Sequence, residues 1–300
     1  MRKIVIILTL YIMATTTSYG QMTAEKLVRQ VGYIKYENRV FFEGMEMKNI
    51  DIKTFEVFDN IYAKDKNYAY CNSKEIENLK SENFIYLGDY YVKYKNGVHY
   101  SGKKLEEADF TSFTFIGNYY AKDSNSLYFG GRKIDGADVV SFEPLTHSYS
   151  KDKDAVFYVA KKLEESEPET FEVLNTKYAK DRLNVYFWGN KIEDADAQTF
   201  VTLDEEYAKD KNRVYYNSRV LENADPKTFE ILNNPYSKDK NHVYSMPLHG
   251  ILEKVDVKTF KTLGDYGYGK DKNYVYFYGK ILEGKIPKDF IPPPPDRIDW

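Results

Sequence analysis

A tyrosine followed two residues later by a lysine recurs nine times along this chain, from Tyr33/Lys35 to Tyr268/Lys270. On a strand, residues two apart share a face, so each copy would set an aromatic ring beside an ammonium group. Such a pair suits a sugar ring, which stacks on an aromatic, or an anionic polymer, which meets the charge. Tyr149 and Lys151, Tyr178 and Lys180, and Tyr207 and Lys209 stand on three consecutive copies and are the candidate binding residues. The competing reading packs each tyrosine into the core and lays the lysine stem over it.

The other reactive residue types point away from catalysis. Asp-x-Asn and Asp-x-Asp, as at Asp65/Asn67 and Asp152/Asp154, offer oxygens of the kind calcium takes, but the remaining ligands of a calcium loop do not follow. His99, His147, His242 and His249 fall at different points of the repeat, against a shared zinc site. Acid pairs such as Glu193/Asp196 and Glu222/Asp225 recur in most copies, so they read as a solvated edge with a turn cap rather than as a general acid and base. Neither a glycine-rich phosphate loop nor a serine elbow is present. The single cysteine, Cys71, takes a column filled elsewhere by Phe42, Tyr100 and Phe129 and reads as a packing residue. No catalytic residue, metal ligand or cofactor is therefore assigned.

These residues are positioned by a repeat. Anchors at Tyr36, Asp65, Tyr94, Asp123, Asp152, Asp181, Asp210, Asp239 and Asp271 are 29 residues apart seven times and then 32. A fixed period of this size means a stack of one supersecondary unit. Lys-Asn usually follows the anchor, then an apolar residue such as Val185 or Val214 and an aromatic-rich pair. Two β-rich runs around such a turn predict a β-hairpin. Next come a turn, often at a glycine such as Gly131, Gly189 or Gly279, and a short strand ending in Ile or Leu. The stretch Ala-Asp-x-x-Thr-Phe, as at Ala224 to Phe229, predicts one helical turn capped by its aspartate. Its phenylalanine recurs from Phe55 to Phe290, and Phe171 and Phe200 are expected in the core.

Asp210-Lys-Asn-Arg-Val-Tyr-Tyr216 and Asp271-Lys-Asn-Tyr-Val-Tyr-Phe277, with Ala-Asp-x-x-Thr-Phe in the same unit, resemble the signature of the DKNYY family of bacterial repeat proteins. The resemblance covers nearly all of the chain after the leader and implies a repeat architecture. It implies no activity, ligand or catalytic residue. Tyr36 and Tyr94 depart from it at the aspartate position.

The expected fold is all-β: an open solenoid-like or superhelical array of nine β-hairpin repeats of 29 residues. Nine units exceed the usual range of a propeller, and a tight β-helix would stack nine lysines into a like-charge ladder. Residues 1–20 read as a signal peptide, 21–32 as an N-terminal cap segment, 33–287 as the array and 288–300 as a proline-rich tail with Ile291 and Trp300 set to cover the last repeat. Three extra residues fall in the eighth repeat, two near Ser245 to Gly250 and one near Gly264 to Tyr268.

Loss of Arg2 and Lys3 with the leader would move the formal charge from −3 to −5, which argues against nucleic acid as the partner. No transmembrane segment is expected in the mature chain, because the leader's apolar run is about half of the roughly 20 residues a bilayer needs. The functional expectation is an exported scaffold, periplasmic, surface-associated or extracellular. It would be non-catalytic and would bind a protein or glycan of the cell envelope along its length. The alternative is an enzyme with a site in the irregular eighth repeat, residues 236–267.

Overall fold

The computed structural model describes residues 32–36, 38–247, 250–264 and 266–293. The signal segment 1–20, the cap segment up to residue 31, Leu248, His249 and the tail beyond residue 293 lie outside the described residues. The described chain is all-β, with nine small antiparallel sheets, the first of three strands and the other eight of four. No α-helix occurs among the described residues, and none is long and apolar enough to cross a membrane. The chain divides into two compact units, residues 1–106 with three sheets and residues 107–300 with six.

One sheet stands for the rest. Glu172–Val173, Tyr178–Lys180, Val185–Phe187 and Asn190–Lys191 lie side by side in that order. Tyr178 pairs with Phe187, Ala179 with Tyr186 and Lys180 with Val185. Alternation then puts Tyr178, Val185 and Phe187 on one face and Ala179 and Tyr186 on the other. The outer strands have two residues each, below the length at which periodicity can be read, so the expected hairpin is the middle of a wider sheet.

Both faces are buried, because consecutive sheets of a unit pack face to face. Tyr178, Val185 and Phe187 meet Ala208 and Tyr215 of the next sheet, with Phe200 between them. Phe200 lies 5.6 Å from the Tyr178 ring and 5.5 Å from the Tyr215 ring. The same order recurs with Tyr149 and Val156, Phe171, then Ala179 and Tyr186. In the N-terminal unit Val40, Phe55, Ala63 and Tyr70 repeat it. A wedged ring leaves little room opposite, which explains the Ala, Ser or Gly after seven of the nine tyrosines. A Cβ on Gly269 would come within 2.6 Å of the Phe260 ring.

Each sheet has two unlike ends. The Asp-Lys-Asn turn and the Thr-Phe turn meet at one, here termed the knot end. At the other, the tip end, a two-residue turn joins the last two strands. Both turn residues have positive φ, +47° at Trp188 and +71° at Gly189, as a type I′ hairpin requires. Glycine or asparagine is usual there, yet Val159 stands in the first position at φ +47°. Cys71 is half-buried, and Ile291 is 84% exposed, so the isoleucine does not cover the last repeat as the sequence suggested.

Candidate functional site

The signature residues come first, since they carried the binding expectation. Asp210 is buried and accepts four hydrogen bonds: Oδ1 takes the amides of Asn212 and Arg213, and Oδ2 takes the Asp196 amide and the Tyr215 hydroxyl. Asp196, fourteen residues earlier, accepts the amide and hydroxyl of Thr199 and pairs with Lys211 at 2.6 Å. The Thr199 hydroxyl in turn accepts the Lys211 amide. The two halves of the family signature therefore close into one hydrogen-bonded knot. It recurs at Asp65, Asp123 and Asp239. Burial opposes ionisation of these carboxylates, but the donors outweigh it and hold Asp65, Asp123, Asp210 and Asp239 below the usual carboxylate range.

Of the oxygens considered for calcium, those of Asp65 and Asp152 are thus occupied by protein donors, and no group of three metal-ligating side chains occurs among the described residues. The third repeat replaces the pair as a pair: Tyr94 stands for the aspartate and His99 for its tyrosine partner, with ring centroids 3.8 Å apart.

The tyrosine column serves the same end. Tyr149, Tyr178 and Tyr207 are 1%, 0% and 6% exposed, so no ring face is open to a sugar. The expected stacking is corrected: periodicity put ring and ammonium on one face, and the next sheet covers that face. The hydroxyls of Tyr149, Tyr178, Tyr207 and Tyr236 each link two repeats. Tyr178 Oη donates to the Glu206 carbonyl at 3.0 Å and accepts the Ser218 amide at 3.1 Å. Tyr149 accepts the Gly189 amide, and Tyr236 joins the Gly267 carbonyl to the Gly279 amide. Burial raises Tyr178, Tyr207 and Tyr236 to about 12.

The lysines are half-buried, with each ammonium turned onto carbonyls of the next turn. Lys151 reaches Pro168, Lys180 reaches Ala197 and Phe200, and Lys209 reaches Pro226 at 2.9 Å. The six residues share a role, but it is to join repeats rather than to form an open stripe.

Exposed cations do occur on the last strand of several sheets, at Arg132, Lys133, Lys161, Lys162, Lys191 and Arg219. Charge on an open edge strand discourages pairing with another sheet.

What remains open and variable is the tip end. Two columns meet there, joined by an amide-to-carbonyl bond in each repeat, as from Trp188 to Lys177 and from Asn217 to Glu206. In successive repeats of the larger unit the pairs read Tyr119/Gly130, Ser148/Val159, Lys177/Trp188, Glu206/Asn217, Pro235/Met246 and Gly267/Tyr278. Trp188 is 50% and Val159 43% exposed. The Lys177 ammonium sits 5.8 Å from the Trp188 ring, a cation–π contact, and reaches Glu206 and Asn217 of the next repeat at 3.6 and 3.3 Å. Asn175 likewise donates to the Asp204 carbonyl, and Thr176 to Glu205. The tips of the sixth and seventh repeats are thereby connected. Sequence reasoning missed the tip end because a column that changes with each repeat gives no periodic signal.

A family model described as the DKNYY family matches residues 33–161 and 128–247. No curated protein and no solved structure matches the chain.

Proposed function

The chain belongs to the DKNYY family, and from that premise we propose a non-catalytic scaffold, exported and held at the cell envelope, that binds a partner along its tip face. Within each compact unit the repeats act as an open, solenoid-like stack that presents one pair of side chains per repeat. The observation that supports this reading is the division of labour between columns. Recurring residues are engaged in knots and inter-repeat ties, whereas the tip pairs are the positions free to differ. Trp188, Val159 and Lys177 supply the aromatic, apolar and cationic groups that such contacts favour.

The test is retention of the mature chain by an envelope fraction, with the Trp188→Ala variant alongside. Binding should fall at least about tenfold for the variant at unchanged melting temperature. Equal retention of parent and variant would reject the tip face.

A further inference from the structure

Where the seventh and eighth repeats meet, the tip face opens into a groove of about 340 Å³. Its origin is local. At three other seams of this unit the tyrosine hydroxyl accepts an amide from the second turn residue, from Gly189, Ser218 and Gly279, while the Tyr120 hydroxyl takes none among the described residues. In the eighth repeat that position is Pro247, which has no amide to give. Tyr207 instead meets the Ser237 hydroxyl at 3.3 Å. The gap at this seam is lined by Tyr216, Ile231, Leu232 and Met246.

The rim is acidic. Asp204 Oδ1 accepts the amides of Glu206 and Tyr207, and Glu205 Oε2 accepts the Thr176 hydroxyl, so each carboxylate keeps a second oxygen for an incoming donor. Glu206 accepts the Tyr216 hydroxyl and lies 3.6 Å from Lys177. Three carboxylates against this one ammonium leave an excess of two negative charges over an apolar floor.

We propose that this groove seats a lysine or arginine side chain from an extended segment of a partner protein. The aliphatic stem would lie over Met246 and Ile231, and the cation would meet the rim carboxylates. A neutral glycan leaves those charges unmatched, and a nucleic acid is repelled by them. The inference rests on the tip-face reading and gives it a partner chemistry.

The probe is a fluorescein-labelled peptide of alternating leucine and lysine, titrated by anisotropy with the full chain. The Glu205→Gln/Glu206→Gln variant should bind it at least about tenfold more weakly, and Met246→Ala about fivefold. Glu164→Gln/Glu193→Gln, the same charge change at exposed knot-end positions, should change affinity less than about twofold. Thermal melts establish that all variants fold. Equal weakening by the control pair, or equal binding of a peptide with glutamate for lysine, would overturn the groove. Full displacement of the peptide by equimolar spermidine would overturn the apolar half of the proposal. If the peptide fails while Trp188→Ala still abolishes envelope binding, the groove falls and the tip face stands.

Discussion

Asp181 and Trp188 lie seven residues apart on one hairpin, at opposite ends of one sheet, and they are built on different constraints. The aspartate is buried and takes four donors, so its neighbours are narrowly chosen: here a threonine hydroxyl in the adjoining turn, an arginine to pair and a tyrosine to donate. The tryptophan is half exposed on a turn that demands only a left-handed backbone. One end of the sheet recurs because its hydrogen bonds are mutually dependent. The other varies because little there depends on the side chain.

The strongest way to separate the two ends is pH. Tyr120, Tyr178, Tyr207 and Tyr236 are raised by burial to about 12, whereas an unfolded phenol titrates near 10. The folded state holds these protons more tightly, so stability is intact below about pH 10 and is lost as pH rises towards 12. The knot carboxylates of Asp65, Asp123, Asp210 and Asp239 are shifted the other way. Their stability is present above about pH 4 and lost as pH falls through their lowered folded values. The knot also holds tyrosines raised by burial and by the aspartate beside them, such as Tyr186, Tyr215 and Tyr244, so base loosens both ends, whereas acid acts first on the knot. Hydrogen exchange should therefore show knot-end amides opening first in acid and no such order in base. Tip-end amides opening first in acid would refute the division.

Asp210→Ala is the largest single change at the knot end. It leaves the amides of Asp196, Asn212 and Arg213 and the Tyr215 hydroxyl without their acceptor, at a cost of about 3 kcal/mol or more. Urea denaturation measures it, and a loss below about 1 kcal/mol would mean that the knot relaxes easily.

Tyr178→Phe keeps the buried ring and removes the hydroxyl between Glu206 and Ser218, which should cost about 1–2 kcal/mol. The loss should appear in exchange of the Ser218 amide in particular.

At the tip the sign reverses. Val159 is β-branched in a left-handed turn position, so Val159→Asn should stabilise by about 1 kcal/mol in a thermal melt. A lower melting temperature would show that Val159 is held by contacts rather than strained.

Much of the skeleton was legible in the sequence because period and column are direct readings of repeated environments. The wedge residues Phe171 and Phe200 are buried where the repeat placed them. For the tyrosine and lysine columns the sequence left an open stripe and a packed core both standing, because a strand pattern tells which residues share a face but not what lies against it. The sheet that covers Tyr178 begins more than twenty residues later, at Val201. The first strand of the sheet was missed because two residues, Glu172–Val173, have no alternation to detect, whereas the last, Asn190–Lys191, was read from the glycine turn before it. Pro247 was a readable mark of this seam: a proline in a column whose amides tie three of the others. Its meaning depended on the tyrosine ties, which no sequence pattern displays.

The uneven ties also set how the stack would come apart. A chain of like segments under tension parts where its coupling is weakest, and two seams of the larger unit are poorly tied: the Tyr120 hydroxyl has no partner among the described residues and that of Tyr207 a lone 3.3 Å contact, where Tyr178 is tied to both a carbonyl and an amide. Pulled from its ends, the larger unit should yield first at these two seams, fourth to fifth and seventh to eighth, with the repeats between them still folded.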